Sequence, residues 1–212
     1  MNNLIIRNEV KKDYRIVENI TREAFWNLHA PGCDEHYLAH ILRKHKDFVP
    51  ELDLVAELEG NVVSNIMYTK SKLIDEEGKV KSILTFGPLS VLPKYQYKGV
   101  GKTLLEHSFK KVLELGYDTI VIFGNPGNYI SRGFKSCKKY NVCLENDVFP
   151  TAMLVKELRT GVLNGIKWKY FASSVYNINK EEALKFDKLF EFKQKEYKTS
   201  QEEFYIYSNS TL

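Results

Sequence analysis

Gln96-Tyr97-Lys98-Gly99-Val100-Gly101-Lys102-Thr103 is the stretch on which the fold turns. Before it runs a β-type segment, Ser82-Ile83-Leu84-Thr85-Phe86, which continues through Gly87-Pro88 into Leu89-Ser90-Val91-Leu92. After it, Leu104, Leu105, Phe109, Val112 and Leu113 recur at three- and four-residue steps, which places them on one face of an amphipathic helix. Gly116 closes that helix, as glycine does where the chain must turn to positive φ. A strand, two glycines and a helix start together make an anion site, because unpaired N–H groups point outward and the helix dipole adds partial positive charge. Lys98 and Lys102 bring full charges to its edge. The stretch therefore predicts a place for a phosphate group.

The identity of that phosphate follows from what the motif lacks. A nucleotide-triphosphate loop needs a glycine five residues before the second glycine, and Gln96 stands there. The strand Thr119-Ile120-Val121-Ile122-Phe123 ends in Gly124-Asn125 and offers no terminal Asp to hold magnesium. A dinucleotide fingerprint would need a third spaced glycine, which is missing. What remains is Gln-x-x-Gly-x-Gly between a strand and a helix. Downstream follows Gly124-Asn125-Pro126-Gly127-Asn128-Tyr129-Ile130-Ser131-Arg132-Gly133-Phe134. The pair of motifs resembles the two signatures of the GNAT superfamily of N-acetyltransferases, the first of which grips the pyrophosphate of coenzyme A. The second is a short helix that carries a tyrosine and ends in Gly-Phe.

The resemblance implies an acetyl-CoA-dependent N-acetyltransferase that needs no metal. In it the backbone amides of Gly99, Val100, Gly101, Lys102 and Thr103 would bind the pyrophosphate, the glycines being needed because a β-carbon would block its approach. Lys98 would add charge, and Gln96 would border the loop. Leu89, Ser90 and Val91 would pair with the amides of the pantetheine arm as one more strand. Gly87-Pro88 is suited to make the bulge that parts this strand from its neighbour, since proline donates no ladder bond. Asn125 would meet the arm from the other side. Tyr129 would assist the departing thiolate: a phenol near pKa 10 giving a proton to a thiolate of a thiol near 8.5 is mildly uphill, so a hydrogen bond carries most of the effect (both values about those of free groups). Phe134 is expected to pack under the motif.

No carboxylate stands in Thr85-Phe86-Gly87-Pro88-Leu89, where some relatives carry a general base. Glu57 is one alternative, a water wire or an amine already neutral in solution another. The missing carboxylate is also the single argument for a non-catalytic acyl-CoA-binding or regulatory module. His36 and His40 adjoin Glu35, but the spacing is not that of a zinc hydrolase, and both histidines are expected at the flank or in solvent rather than on a metal. The segment from His29 to His40 corresponds to the wall of the acceptor site in the resembling family. The acceptor amine itself stays open among small metabolites, antibiotics, peptide termini and lysine.

The remaining chain fits this frame. Leu4-Ile5-Ile6-Arg7 reads as a strand, and Asp13 as the cap of a helix with Ile16, Val17, Ile20 and Ala24 on one face. A second helix starts near Asp34 and turns Leu38, Ile41 and Leu42 inward. Leu54–Leu58 and Val62–Tyr68 form a hairpin across Glu59-Gly60-Asn61, and Asp75-Glu76-Glu77-Gly78 turns toward the strand before the motif. Lys139–Leu144 and Ala152–Lys156 are expected as the last two strands. The fold class is thus α/β (α+β) of the GNAT type: a central mixed, mostly antiparallel sheet, split at the cofactor site and flanked by helices.

Residues 1–158 would form the acetyltransferase domain, and residues 159–212 an extension packed on it. In the extension Asn179 and Glu182 form a capping box for a helix with Ala183, Phe186, Leu189 and Phe190 on one side, leaning on the core through Trp168, Tyr170 and Phe171. The extension reads as a lid, as an arm joining two copies into a homodimer, or as padding. Of 212 residues, 43% are hydrophobic and 27% charged, with a net charge of only +4, which argues against a nucleic-acid partner. No run is long enough for a membrane span or a signal peptide. Cys33, Cys137 and Cys143 are odd in number and lack metal-ligand spacing, which suits a reducing, cytoplasmic setting.

Overall fold

The computed structural model describes residues 3–212. In chain order the elements are β1 (Leu4–Asn8), α1 (Tyr14–Phe25), α2 (Glu35–Leu42), β2 (Leu54–Leu58), β3 (Asn61–Asp75), β4 (Val80–Val91), α3 (Val100–Glu114), β5 (Thr119–Phe123) and α4 (Pro126–Tyr129). They continue with β6 (Lys135–Ser136), β7 (Val142–Cys143), β8 (Met153–Glu157), β9 (Trp168–Phe171), α5 (Lys180–Asp187) and α6 (Thr199–Asn209). All nine strands join one sheet, in the order β1-β2-β3-β4-β5-β8-β6. Off that path, β9 pairs with the far end of β3 and with β7. Among the described residues, only β4–β5 and β7–β9 run parallel.

Alternation along the strands divides the core between the two faces. Leu54, Ala56, Ile120 and Ile122 meet the apolar stripe of α3, where Leu104, Leu105, Phe109 and Val112 are buried. Val55 and Val62 turn the other way, onto Val17 and Ile20 of α1. Val121 and Val155 face that same way farther along, against Trp168 and Tyr170 of β9. Each such side chain contributes about 1.5–3 kcal/mol on burial, so the register of every strand is fixed by its hydrophobic set.

The site is prepared by one departure from regular pairing. β4 and β5 are in register at Leu84 and Ile120, after which β4 runs on to Val91 paired only with β3. Between Ile66↔Leu89 and Tyr68↔Phe86, Met67 alone stands opposite both Gly87 and Pro88. The bulge expected at Gly87-Pro88 is there, and it swings β4 away from β5.

Several local expectations are corrected. Lys139–Leu144 is not a strand: Cys137–Tyr140 coils into a 3-10 turn, Asn141 takes φ +55°, and only Val142–Cys143 extends. Left-handed Asn141 is incompatible with a ladder, and Asn is a residue that tolerates that region. β9, four residues long, was not anticipated as a strand. Ile16 is exposed and Thr21 takes its place on the buried face of α1. Asp13 precedes α1 without capping it; its carboxylate accepts from Arg7 and from the Val10 amide, and these contacts hold it below the usual carboxylate range. His36 is fully buried rather than flanking, packed against Phe186 and Phe190 from the distant end of the chain. Asn179 does cap α5 through the Glu181 and Glu182 amides, but Glu182 accepts from the Tyr37 hydroxyl at 2.7 Å, and Leu189 is exposed.

Candidate active site

The divergence of β4 from β5 opens a cavity of about 770 Å³. Its walls come from β4, the loop before α3, the end of β5 with α4, the segment joining α1 to α2, β9 and α6. Of the residues singled out in the sequence, Leu89, Val91, Gln96, Gly99, Val100, Gly101, Lys102, Asn125 and Tyr129 all line it.

At one end stands the start of α3. Gly99 is its N-cap at φ +82°, a conformation that side-chain-bearing residues adopt only at a cost. The Thr103 amide donates to Gly99 O at 3.0 Å, so the intrahelical ladder begins there, and the amides of Val100, Gly101 and Lys102 are the first-turn donors left without an intrahelical acceptor. Thr103 therefore departs from expectation: its hydroxyl also donates to Gly99 O, at 3.1 Å, and the residue does not reach the cavity. Lys98 is exposed, with its ammonium 5.9 Å from the centre of the Tyr95 ring. Ser90 is buried and donates to Thr21 Oγ1 at 3.1 Å, fastening β4 to α1 rather than facing the cleft. Gln96 Nε2 donates to Val91 O at 3.0 Å, which ties the loop to the end of β4.

Gly101 has a reason within the fold itself for being glycine. A Cβ there would come within 3.1 Å of Val91 Cγ2, so the helix start and the strand end are in contact through the missing side chain. Asn125 likewise has a structural duty, since its Oδ1 accepts from the Gly127 amide at 2.9 Å and caps α4. Its amide nitrogen stays available to the cavity.

Tyr129 is part of the cleft wall. Its ring rests against Phe86 at 5.8 Å and on the edge of Phe134 at 5.7 Å, and Phe134 is buried as expected. Gly124 makes room for it, because a Cβ there would stand 2.8 Å from Tyr129 Cε2. Burial pushes the Tyr129 phenol up to about 12, with Tyr207 of α6 adding to the effect. Glu57 is elsewhere: it accepts from Arg7 Nε at 3.0 Å and is not in the cavity wall.

Sequence reasoning reached the other end of the cleft only in part. Phe25, His29, Glu35, Tyr170, Tyr176 and Phe204 line it. His29 Nδ1 is 3.2 Å from Glu35 Oε1, and its ring stacks on Phe204 at 4.3 Å. The segment holding His29 and Glu35 was marked as an acceptor wall, but Tyr170, Tyr176 and Phe204 come from the tail, where no local pattern announces them. Among the described residues, no group of His, Cys, Asp and Glu is arranged to hold a metal ion, and no helix is long and apolar enough to cross a membrane.

Known proteins agree with this geometry. The model of the acetyltransferase (GNAT) family matches residues 20–135, a span that includes Gln96, Gly99, Gly101 and Tyr129. Among curated proteins, the uncharacterized N-acetyltransferase YhbS of Escherichia coli (strain K12) is 26% identical over 164 residues, 77% of this chain and 92% of that protein. The uncharacterized N-acetyltransferase YjhQ of the same organism is 32% identical over 90 residues, 42% of this chain, and the match spans only 48% of YjhQ. Among solved structures, E. coli YhbS in complex with CoA superposes with a TM-score of 0.70 at 23% identity, covering 82% of this chain and 92% of that one. A GNAT family acetyltransferase from Brucella melitensis in complex with acetyl-CoA gives 0.64 at 22% identity, covering 83% and 99%. Both share the fold, a mixed sheet of many strands flanked by helices. With its parted strands and more than half its length matched by the family model, this chain belongs to the GNAT acetyltransferase family.

Proposed function

We propose that the protein transfers the acetyl group of acetyl-CoA to a primary amine by direct attack, with both substrates held in the one cavity. A single observation carries the reading: the open amides of α3, the free edge of β4 and the Tyr129 phenol border the same cleft. The amides of Val100, Gly101 and Lys102 would hold the pyrophosphate, with Lys102 adding charge and no metal required. Leu89 and Val91 would present the free edge of β4 to the pantetheine amides, and Asn125 Nδ2 would meet the arm from the β5 side. Holding both reactants in near-attack geometry supplies much of the rate.

In the transfer the amine nitrogen bonds to the thioester carbonyl carbon, the carbon–sulfur bond breaks, and the nitrogen's proton leaves to solvent. The sulfur departs with the electron pair as a thiolate. Tyr129, raised to about 12, stays protonated throughout the neutral range. Its hydroxyl would donate a hydrogen bond to that thiolate rather than a full proton, because transfer to a group near 8.5 is uphill by on the order of 5 kcal/mol. The unpaired cysteines suit a reducing cytoplasm.

The decisive experiment incubates the protein with acetyl-CoA and a panel of amines and reads free thiol release. Amine-dependent release supports the transferase. Calorimetric binding of acetyl-CoA with no release for any amine would turn the reading into that of a cofactor-binding module. A chelator should leave acetyl-CoA binding unchanged; loss of binding would contradict the metal-free site.

A further inference from the structure

Charge of both signs lines the cavity. Lys102 of α3 and Arg132 just after α4 are in its wall, whereas Glu35, at the start of α2, is the one carboxylate there among the described residues. Glu35 is held in place: Oε1 is 3.2 Å from His29 Nδ1 and Oε2 accepts from the Asp34 amide at 3.2 Å. One cleft thus offers charge to an anionic cofactor and, at Glu35, to a cationic amine.

The rest of the Glu35 end is aromatic. His29 lies on Phe204 at 4.3 Å with 20° between the planes, and its other neighbour is the Phe25 ring at 5.6 Å. The two tyrosines there have committed their hydroxyls to the protein: Tyr170 OH is 2.7 Å from Thr85 Oγ1 and Tyr176 OH is 3.0 Å from Thr69 Oγ1. What they offer the cleft is ring carbon. This end thus has flat apolar walls and one fixed carboxylate; Lys180 and Lys195 belong to a second, smaller hollow that also borders on Phe25, His29 and Glu35.

We propose that this end is the acceptor subsite, and that it takes a primary amine carried on an aromatic or other apolar body with no carboxylate of its own. The inference rests on the transferase reading. Ring faces bury an apolar body and attract an ammonium, and Glu35 draws that ammonium in. An acceptor bearing a carboxylate sets a second negative charge beside Glu35, and a polar body loses water without finding partners. Phe204 comes from α6, so the chain's C-terminal helix takes part in choosing the acceptor.

Three probes test this: 2-phenylethylamine, phenylalanine and ethanolamine, each with acetyl-CoA and thiol release as readout. 2-Phenylethylamine should exceed both others in kcat/KM by at least about tenfold, the least that lost contacts in an apolar pocket cost. Glu35→Gln should narrow its lead over phenylalanine, and Phe204→Ala should raise KM for 2-phenylethylamine while acetyl-CoA affinity by calorimetry stays that of the parent. Phe204→Leu, which keeps bulk without the ring, guards against loss of α6 as the cause and should fall between. Equal turnover of ethanolamine or phenylalanine, or unchanged selectivity in both Glu35→Gln and Phe204→Ala, overturns the subsite while leaving the transferase standing. If no amine releases thiol, the transferase reading fails instead. Calorimetry of 2-phenylethylamine on the CoA-saturated protein then decides the subsite: saturable binding that Phe204→Ala weakens supports it, and no binding to the parent overturns it.

Discussion

Tyr129 and Asp53 show how burial sets the behaviour of single groups. Removing the Tyr129 hydroxyl as Tyr129→Phe keeps the ring contacts with Phe86 and Phe134, so stability and acetyl-CoA affinity should hold. kcat should fall by about 10²–10⁴-fold with KM little changed, the pattern of an interaction made mainly in the transition state. With the phenol at about 12, the parent's kcat should show no alkaline fall from this group up to about pH 10; a parent-like kcat in the variant would reduce Tyr129 to packing. Asp53 is pushed up to about 9 by burial and by Glu9 beside it, against the opposing pull of Arg43, with Asp13 adding a smaller upward push. Arg43 is already taken by Glu9 at 2.7 Å and Glu18 at 3.1 Å, which leaves Asp53 Oδ1 buried without a partner. The folded chain then binds a proton that the unfolded chain releases near pH 4, so this group's contribution to stability falls as pH rises between about 4 and 9. Asp53→Asn imitates the protonated form and should raise Tm at pH 8 by about 2–4 °C, roughly 1 kcal/mol in a chain of this size. The gain should fade toward pH 5 in thermal scans; a pH-independent gain would place the cause in packing.

The start of α3 turns on two glycines that serve different ends. Gly99 sits at φ +82°, where a β-branched residue is strained, so Gly99→Val should weaken acetyl-CoA binding by about 1–3 kcal/mol. Gly101→Ala should cost less, about 1 kcal/mol, because only Val91 Cγ2 crowds the new methyl. The double variant Gly101→Ala/Val91→Ala should then recover cofactor affinity. Calorimetry showing no recovery would mean that the methyl obstructs the pyrophosphate itself. This element was readable from sequence because every signal is local: the apolar period of the helix, the two glycines, and the Gly87-Pro88 bulge within a continuous strand. What the tail contributes was not readable for the converse reason. His36 is buried by Phe186, Phe190 and Asp187 from far along the chain, and burial pushes its imidazole down to about 4. β9 is too short to show alternation, and the stacking of Phe204 on His29 links residues that no periodicity connects.

At the scale of the whole molecule, the tail builds part of the cleft wall. β9 completes the sheet beside β3, with Trp168 and Tyr170 in the core, so the structure runs continuously past residue 158. α5 docks through Asp187, whose Oδ1 is 2.7 Å from the buried Arg22 Nε. Beyond it the chain is fastened on one side where Gln194 O accepts from Trp26 Nε1 and Asn27 Nδ2. On the other side Ser210 O accepts from the Thr151 amide, and Leu212 donates to Phe149 O. Between these anchors α6 extends roughly 16 Å at 1.5 Å per residue and sets Phe204 in the cavity. Ending the chain after Lys188 removes this strap while keeping β9 and α5. The cofactor end draws none of its walls from the deleted stretch, so acetyl-CoA affinity by calorimetry should stay within about threefold, under 1 kcal/mol. Tm should drop as Trp26 and Asn27 lose their acceptors, each bond contributing about 0.5–1.5 kcal/mol. With the acceptor end open to water, thiol release without any amine should rise above the parent's, since a closed site excludes hydrolysis. Folded truncated protein with parental acetyl-CoA affinity and no added hydrolysis would show that α6 shapes the acceptor end without sealing it; loss of cofactor binding would instead place part of the cofactor site in the tail.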